Sequence, residues 1–338
     1  MARRPVAAPP PEATHPPPPR ANPMLFGHTD PQATFAASLE AGRMHHAWLL
    51  TGPPGVGKRT LAFRLARRLL IPPPHHDPAA PAFRRIAVGT HADVMLLARE
   101  TDEKTKKLKR EIAVDQVRDM VGFMHLTPAE GGWRVIVVDA AEEMNRNAAN
   151  ALLKVLEEPP RRAILFLTSD APGRLLPTIR SRCRRLRLDA LPDAEMSAAL
   201  RWLLPEIDDA ARARLATIAE GSPGRAVAMA EEGALALAEL ANEVLEASDM
   251  PIPRMHEVAD KATKGDAAFE VFMTLLRAAL SLQVRQAARG TGPGLRGRPL
   301  ADWFEVWHGL GRLADETTRF NLDKRTAVIA GLELLKVA

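Results

Sequence analysis

The sequence predicts an α/β domain with a parallel sheet, followed by two smaller helical domains. Two apolar runs indicate the sheet, Ala47–Thr51 and Trp133–Asp139, because continuous apolar residues are typical of strands that are covered on both faces. After each run, apolar residues recur at helical spacing. Strands that alternate with helices in this way favour parallel pairing.

The first run leads into a glycine-rich loop, Gly52-Pro-Pro-Gly-Val-Gly-Lys-Arg-Thr60. Gly52, Gly57 and Lys58 fit the G-x-x-x-x-G-K pattern, in which backbone N–H groups surround phosphates and the lysine reaches the terminal ones. Arg59 stands where that pattern has the Ser or Thr that ligates Mg²⁺. We interpret the loop as a phosphate-binding element that lacks one metal ligand.

A helix is expected after the loop, ending near Pro72. Its predicted apolar stripe consists of Ala62, Leu65, Ala66 and Leu69. The arginines of this helix are expected to point away from the apolar stripe, and they form either a surface that faces phosphates or a merely solvated one. They are Arg64, Arg67 and Arg68. The same two interpretations stay open for the arginines between Arg180 and Arg187.

The second apolar run ends in Asp139, which we interpret as the Walker B acid of the phosphate site. A later strand, Ala163 to Thr168, ends in hydroxyl side chains, those of Thr168 and Ser169. In a parallel sheet these hydroxyls lie beside Asp139, where they either sense a terminal phosphate or cap the strand. The sequence therefore places three polar groups at one edge of the sheet.

Between these parts, Ile71 to Glu111 contains a proline-rich stretch and a charged run, with one strand, Asp93 to Leu97. Asp115 is expected to be the N-cap of the helix that follows. That helix has the apolar stripe Val117, Met120, Val121 and Met124. The histidines of this region are interpreted as loop residues rather than metal ligands: His75, His76 and His91.

Composition narrows the class of protein. A length of 338 residues allows two or three domains, and the net charge of +5 with a pI near 9.6 permits contact with nucleic acid. The single cysteine, Cys183, excludes an intramolecular disulfide and a cysteine-rich zinc site. The sequence contains no uncharged run of about 18 apolar residues, so no membrane span is predicted. We expect a cytoplasmic protein.

Four segments are predicted. Residues 1–23 form a disordered, proline-rich tail, and residues 24–188 form the phosphate-binding domain. Residues 189–248 form a small helical lid with helices at Met196 to Leu204, Ala210 to Ala219 and Arg225 to Leu245. A linker at Pro251 to Pro253 precedes the last helical domain, 249–338.

Four residue strings together resemble the AAA+ clamp-loader family of bacterial DNA polymerase III, clearly from about Leu25 to Ala230. They are Gly52 to Thr60, Asn150-Ala-Leu-Leu-Lys-Val-Leu-Glu-Glu-Pro-Pro160, Ser181-Arg182-Cys183 and Glu220-Gly-Ser-Pro-Gly-Arg225. The altered glycine loop and the last string favour a non-hydrolysing member over the gamma/tau subunits. The resemblance implies an AAA+ P-loop domain, a lid and a C-terminal collar that joins an oligomer.

The resemblance also implies residue roles. Arg182 is expected to be an arginine finger, presented in trans to nucleotide on a neighbouring subunit, and Arg225 a sensor 2 arginine. Ala140 stands where AAA+ hydrolases have the glutamate that polarises water. The remaining expected nucleotide-binding residues, functional or vestigial, are Gly52, Gly55, Gly57, Lys58, Thr60, Asp139 and Thr168. Whether ATP and Mg²⁺ bind stays open, and the four-cysteine zinc module of many relatives is absent.

The resulting hypothesis is a largely structural clamp-loader subunit that is linked to DNA polymerase only through the holoenzyme. Its expected partners are gamma/tau and delta subunits in a hetero-oligomer, and, through the complex, the sliding clamp and primed DNA. One alternative is a self-sufficient AAA+ ATPase in which Thr60 replaces the missing hydroxyl and Glu142 or Glu143 is the base. Another is a DNA-binding module that uses the arginine cluster.

Overall fold

The computed structural model of the chain describes residues 16–102, 108–130, 132–231, 233–247, 250–265, 268–289 and 298–336. Two predicted features fall partly outside these ranges: the tail up to residue 15, and residues 103–107 of the charged run. The chain forms two compact units. The first comprises residues up to Ile207 with Glu220–Arg225, and the second Asp208–Ala219 with Ala226–Ala338.

The first unit is built on a five-stranded sheet in which every pair of neighbouring strands is parallel. Its strands are β1 Ala47–Thr51, β2 Val94–Leu97, β3 Arg134–Val138, β4 Ala163–Ser169 and β5 Arg184–Arg187. Their spatial order is β2-β3-β4-β1-β5. The predicted parallel sheet is confirmed.

Helices alternate with these strands and cover both faces of the sheet. The first unit contains α1 Thr29–Glu40, α2 Lys58–Leu70, α3 Pro81–Val88, α4 Val114–His125, α5 Arg146–Glu157, α6 Pro177–Ser181 and α7 Asp193–Leu203. Val135 and Val137 of β3 belong to the apolar cluster that includes α2, whereas Ile136 and Val138 belong to the cluster that includes α4 and α5. Because alternate side chains enter opposite layers, the strand has to be apolar throughout.

Parallel pairing brings the carboxyl ends of three strands together. Thr51 at the end of β1 pairs with Ser169 at the end of β4, and Val138 at the end of β3 pairs with Leu167. The glycine loop follows β1 and Asp139 follows β3. The loop, Asp139 and the last residues of β4 therefore lie at one edge, where ligands of open α/β sheets bind.

The helical part of the chain comprises α8 Asp209–Ala219, α9 Pro223–Glu231, α10 Ala234–Glu246, α11 Ile252–Ala262, α12 Ala268–Ala288, α13 Leu300–Phe320 and α14 Lys324–Leu335. The single helix predicted from Arg225 to Leu245 is wrong. Gly233 adopts a left-handed φ of 71° between α9 and α10, which interrupts a helix. The predicted linker at Pro251 is also shorter, because α11 already begins at Ile252 with proline in its first turn.

Apolar side chains at helical spacing form the core of the second unit. Phe269, Phe272 and Met273 of α12 are buried, whereas Phe304 of α13 is 58% exposed. Among the described helices, none has the length and apolar character needed to cross a membrane. The division of the helical part into a lid and a collar stays a prediction.

Two local expectations for the first unit are wrong. Asp115 is not the N-cap of α4, because that helix starts at Val114 and Ala113 is its N-cap residue. Gln116 accepts a hydrogen bond from the Ala113 N–H at 2.9 Å, which supplies the capping contact from inside the first turn.

Arg67 of α2 does not project into solvent as expected, since it is fully buried. Its guanidinium donates to the carbonyls of Arg20 at 3.1 Å and Asn22 at 2.7 Å and stacks over the Phe83 ring. Burial lowers the pKa of Arg67 to about 10, and the nearby charge of Arg64 adds to the effect. The Arg67 guanidinium therefore stays charged at neutral pH, and its hydrogen bonds hold residues 20–22 against α2.

We predict that Arg67→Ala lowers the free energy of unfolding by about 2–4 kcal/mol, because one buried and one partly buried carbonyl lose a charged donor and Phe83 loses a packing partner. The matched control is Arg68→Ala. Arg68 pairs with Glu40, which is 72% exposed, so the control should cost less than about 1 kcal/mol. Urea unfolding measures both, and equal losses would contradict the assignment.

Candidate nucleotide-binding site

The glycine loop joins β1 to α2 and packs against a second backbone segment. The Gly55 carbonyl accepts a hydrogen bond from the Gly224 N–H at 2.8 Å. Gly55 has a φ of 74°, and a Cβ added there would lie 2.6 Å from the backbone nitrogen of Arg225. Only glycine permits this close approach. The loop and the Gly-Ser-Pro-Gly-Arg string, far apart in sequence, are thus in direct contact.

Lys58 is turned back onto its own loop. Its side chain is 7% exposed, and Nζ donates to the carbonyls of Gly52 at 2.9 Å and Pro53 at 2.5 Å. The same ammonium forms an ion pair with the Asp170 carboxylate. These contacts occupy the three donors of the ammonium group.

Arg59 forms an ion pair with Asp139, with Nη1 3.1 Å from Oδ2. The arginine thus presents a positive charge to the carboxylate that would serve a magnesium ion. A second cation beside this guanidinium would be repelled, and no hydroxyl stands at position 59 to ligate it. In this arrangement the residues do not fit a Mg²⁺–nucleotide.

Thr168 organises the same edge of the sheet. Its hydroxyl donates to Asp139 Oδ1 at 2.8 Å and accepts from the Ala140 N–H at 2.9 Å. The structure therefore brings Thr168 and Asp139 together, as the strand ends predicted. Ala140 has a left-handed φ of 52° and provides only a methyl group. A role in sensing phosphate stays a prediction.

Thr60 does not take over the position of Arg59. The helix α2 begins at Lys58, and the Leu61 N–H donates to the Gly57 carbonyl at 2.9 Å, which fixes the register of the first turn. Arg59 is the residue of this turn that contacts Asp139.

Both glutamates considered as an alternative base hold other groups. Glu142 Oε1 accepts hydrogen bonds from the N–H groups of Asp170 at 2.7 Å and Ala171 at 3.1 Å. Glu143 forms an ion pair with Arg99. Burial raises the pKa of Glu143, and Arg99 acts in the opposite direction. These contacts assign both carboxylates to fixing the loops around Asp139.

Arg182 lies at the end of α6, about one third exposed. Its Nη2 is 2.8 Å from Glu157 Oε1 at the end of α5, and its Nη1 donates to the Thr178 carbonyl at 3.1 Å. The next residue, Cys183, packs against the apolar cluster of α4 and α5, and burial raises the pKa of its thiol to about 12. Cys183 therefore anchors the string while Arg182 stays accessible.

Arg225 lies next to the loop through its backbone, but its guanidinium is directed to Glu220, 3.5 Å away.

Asp170 is the site residue that sequence reasoning missed. Its only indication in the sequence is weak, a carboxylate directly after Thr168 and Ser169 at the end of β4. Within the described part of the chain, no group of three or more His, Cys, Asp or Glu side chains is arranged to hold a metal ion.

A parallel sheet with a glycine loop after β1, a lysine at the start of α2 and an acid after β3 defines the class of P-loop nucleotide-binding domains. Residues 27–192 match the family model described as DNA polymerase III, delta subunit. This match confirms the resemblance inferred from the sequence strings.

Named relatives agree with the family. DNA polymerase III subunit delta' of Pseudomonas aeruginosa is 45% identical over 184 residues, 53% of each chain. The delta' subunit of Escherichia coli is 38% identical over 200 residues, which cover 58% of this chain and 57% of that protein. The tau subunit of Escherichia coli is 31% identical over 217 residues, 62% of this chain and 32% of that protein. The chain spans about half the length of the delta' relatives it matches.

Among solved structures, a gamma subunit-related protein of DNA polymerase III from Thermotoga maritima aligns with 86% of this chain and 94% of its own. The identity is 19% and the TM-score 0.45, a likeness too weak to bear on function.

We predict that Glu142→Ala lowers the free energy of unfolding by about 1–3 kcal/mol, because two N–H groups of the loop after β4 lose a charged acceptor. Glu142→Gln is the control, since its amide oxygen can still accept hydrogen bonds and should retain most of the stability. Thermal or urea unfolding checks the pair. A fully stable Glu142→Ala protein would contradict the loop-fixing role.

Proposed function

We propose that this chain is a subunit of the bacterial DNA polymerase III clamp loader that does not hydrolyse ATP and donates Arg182 to the ATPase site of a neighbouring subunit. One observation carries the proposal: both cationic side chains of the glycine loop are paired with carboxylates of their own domain. Lys58 pairs with Asp170 and Arg59 with Asp139. Arg182 pairs with Glu157, whose side chain is 51% exposed, more than that of either Asp139 or Asp170.

Hydrolysis needs a metal ion on the phosphates and a group that activates water. Arg59 is placed against the metal-binding acid, and Ala140 has no proton acceptor in its side chain. Glu142 and Glu143 are committed to the loop after β4 and to Arg99. These contacts also speak against the alternative of a self-sufficient ATPase.

Arg182 is suited to act outside its own domain. An ion pair as exposed as that with Glu157 contributes about 0–1 kcal/mol, and it leaves other N–H groups of the guanidinium able to donate to a stronger acceptor. Phosphoryl oxygens are such acceptors, because charge-assisted hydrogen bonds to them are short and strong. A guanidinium supplied in trans stabilises the charge that develops on a transferring phosphoryl group.

The proposed assembly contains gamma/tau and delta subunits, opens the sliding clamp and places it on primed DNA. Within it, residues 189–248 act as the lid and residues 249–338 join the collar. Large apolar side chains on the surface of α13 support a docking role for the last domain, since Phe304 is 58% and Phe320 is 62% exposed. In this proposal the chain is connected with nucleotidyl transfer only as a member of the polymerase holoenzyme.

Arg182→Ala is expected to leave folding and assembly intact and to reduce DNA-stimulated ATP hydrolysis at the site that receives this arginine, by roughly 10³-fold if fingers elsewhere are a guide. Because other sites contribute, the loss in the whole complex is smaller. Steady-state ATPase assays of the reconstituted complex with clamp and primed DNA measure the effect.

The matched control is Arg180→Ala. Arg180 is exposed and lies in α6, the short helix that ends directly before Arg182. The complex that contains Arg180→Ala should hydrolyse ATP at the normal rate. Normal ATPase activity and clamp loading by the Arg182→Ala complex would refute the trans role. Robust hydrolysis by the purified subunit alone, abolished by Lys58→Ala, would refute the non-hydrolysing role.

A further inference from the structure

We infer that Glu157 is a positioning residue for Arg182: its carboxylate holds the guanidinium in an outward orientation before the neighbouring subunit arrives. The inference rests on the proposed function, in which Arg182 acts in trans. It assigns a role to the first glutamate of the Glu-Glu-Pro-Pro string, which nothing in the nucleotide site requires. The supporting geometry is the 2.8 Å contact between Arg182 Nη2 and Glu157 Oε1.

Glu157 is the last residue of α5. Leu152, Val155 and Leu156 fix this helix in the core below the sheet. Pro159 and Pro160 prevent the helix from continuing past this point. The carboxylate is therefore presented from a fixed helix end.

Arg182 is held from a second side by α6. Ile179 of this helix is fully buried in the same apolar cluster as α5, so the two helix ends are fixed relative to each other. The carbonyl of Thr178 in α6 accepts from Arg182 Nη1 at 3.1 Å. Two acceptors on two packed elements thus restrain one long side chain.

This restraint matters because a free arginine side chain loses considerable rotamer entropy when it is ordered. If that entropy is already lost in the isolated subunit, it no longer opposes the transition state in the complex. The two contacts use two of the five N–H donors of the guanidinium. The group can therefore keep Glu157 and still donate to a phosphoryl oxygen.

A role for Glu157 in masking Arg182 predicts the opposite change in the rate of ATP hydrolysis. If Glu157 only masks Arg182, its removal frees the finger and hydrolysis becomes faster. If Glu157 only stabilises the fold, its removal lowers the melting temperature. Since the carboxylate is 51% exposed and exposed ion pairs contribute little to folding, positioning predicts an unchanged melting temperature.

The test uses the complete complex with clamp and primed DNA and measures kcat and KM for ATP. Glu157→Ala should lower kcat about 2- to 5-fold with KM unchanged, the size expected when one exposed contact to a transition-state group is lost. Glu157→Gln should restore most of kcat, because the amide oxygen still accepts from Arg182. Glu158→Ala, at the exposed neighbouring residue, is the matched control and should behave as the unaltered protein.

A double-mutant cycle decides whether the effect passes through Arg182. In an Arg182→Ala background, Glu157→Ala should cause no further loss. Unchanged or increased kcat in the single mutant, an equal loss in both backgrounds, or failure of the Glu157→Ala subunit to assemble would overturn the inference. Should Arg182→Ala itself be silent, the proposed function fails. A clear Arg182→Ala effect with a silent Glu157→Ala would remove only the role of Glu157.

Discussion

Neutralisation of charge at the carboxyl edge of the sheet is the constraint on which the rest of this structure depends. Parallel strands deliver Asp139 and Asp170 to that edge, and the glycine loop delivers Lys58 and Arg59. Lys58 pairs with Asp170, and Arg59 pairs with Asp139. The Lys58 side chain is 7% exposed, so this ammonium would be costly to leave unpaired. The four charges of this edge are thus paired within the domain.

The same architecture separates this closed site from an accessible arginine. Helix α5 begins after the segment that holds Glu142 and ends at Glu157, so one element lies between the loop edge and Arg182. Cys183 is partly buried and packs against the apolar cluster of α4 and α5, and Arg182 remains partly exposed. The domain therefore keeps a surface group able to act on a neighbour, although its own loop is occupied. This combination supports a subunit that assists hydrolysis elsewhere.

Patterns that depend on backbone periodicity were predictable from the sequence. Continuous apolar runs located β1, β3 and β4, and the strand ends placed Thr168 beside Asp139. Side-chain pairing was not predictable, because it depends on three-dimensional neighbours that periodicity does not encode. For this reason Asp170 was missed as the partner of Lys58, and Arg67 was expected in solvent although it holds the carbonyls of Arg20 and Asn22.

Calorimetric titration of the intact chain with ATP, with and without Mg²⁺, shows whether the loop is closed by its own ion pairs. For a closed loop we expect a dissociation constant above roughly 1 mM that Mg²⁺ does not change, and binding at least about tenfold tighter with Mg²⁺ once Arg59→Thr restores the hydroxyl ligand. Micromolar, Mg²⁺-dependent binding of ATP by the unaltered chain would contradict it.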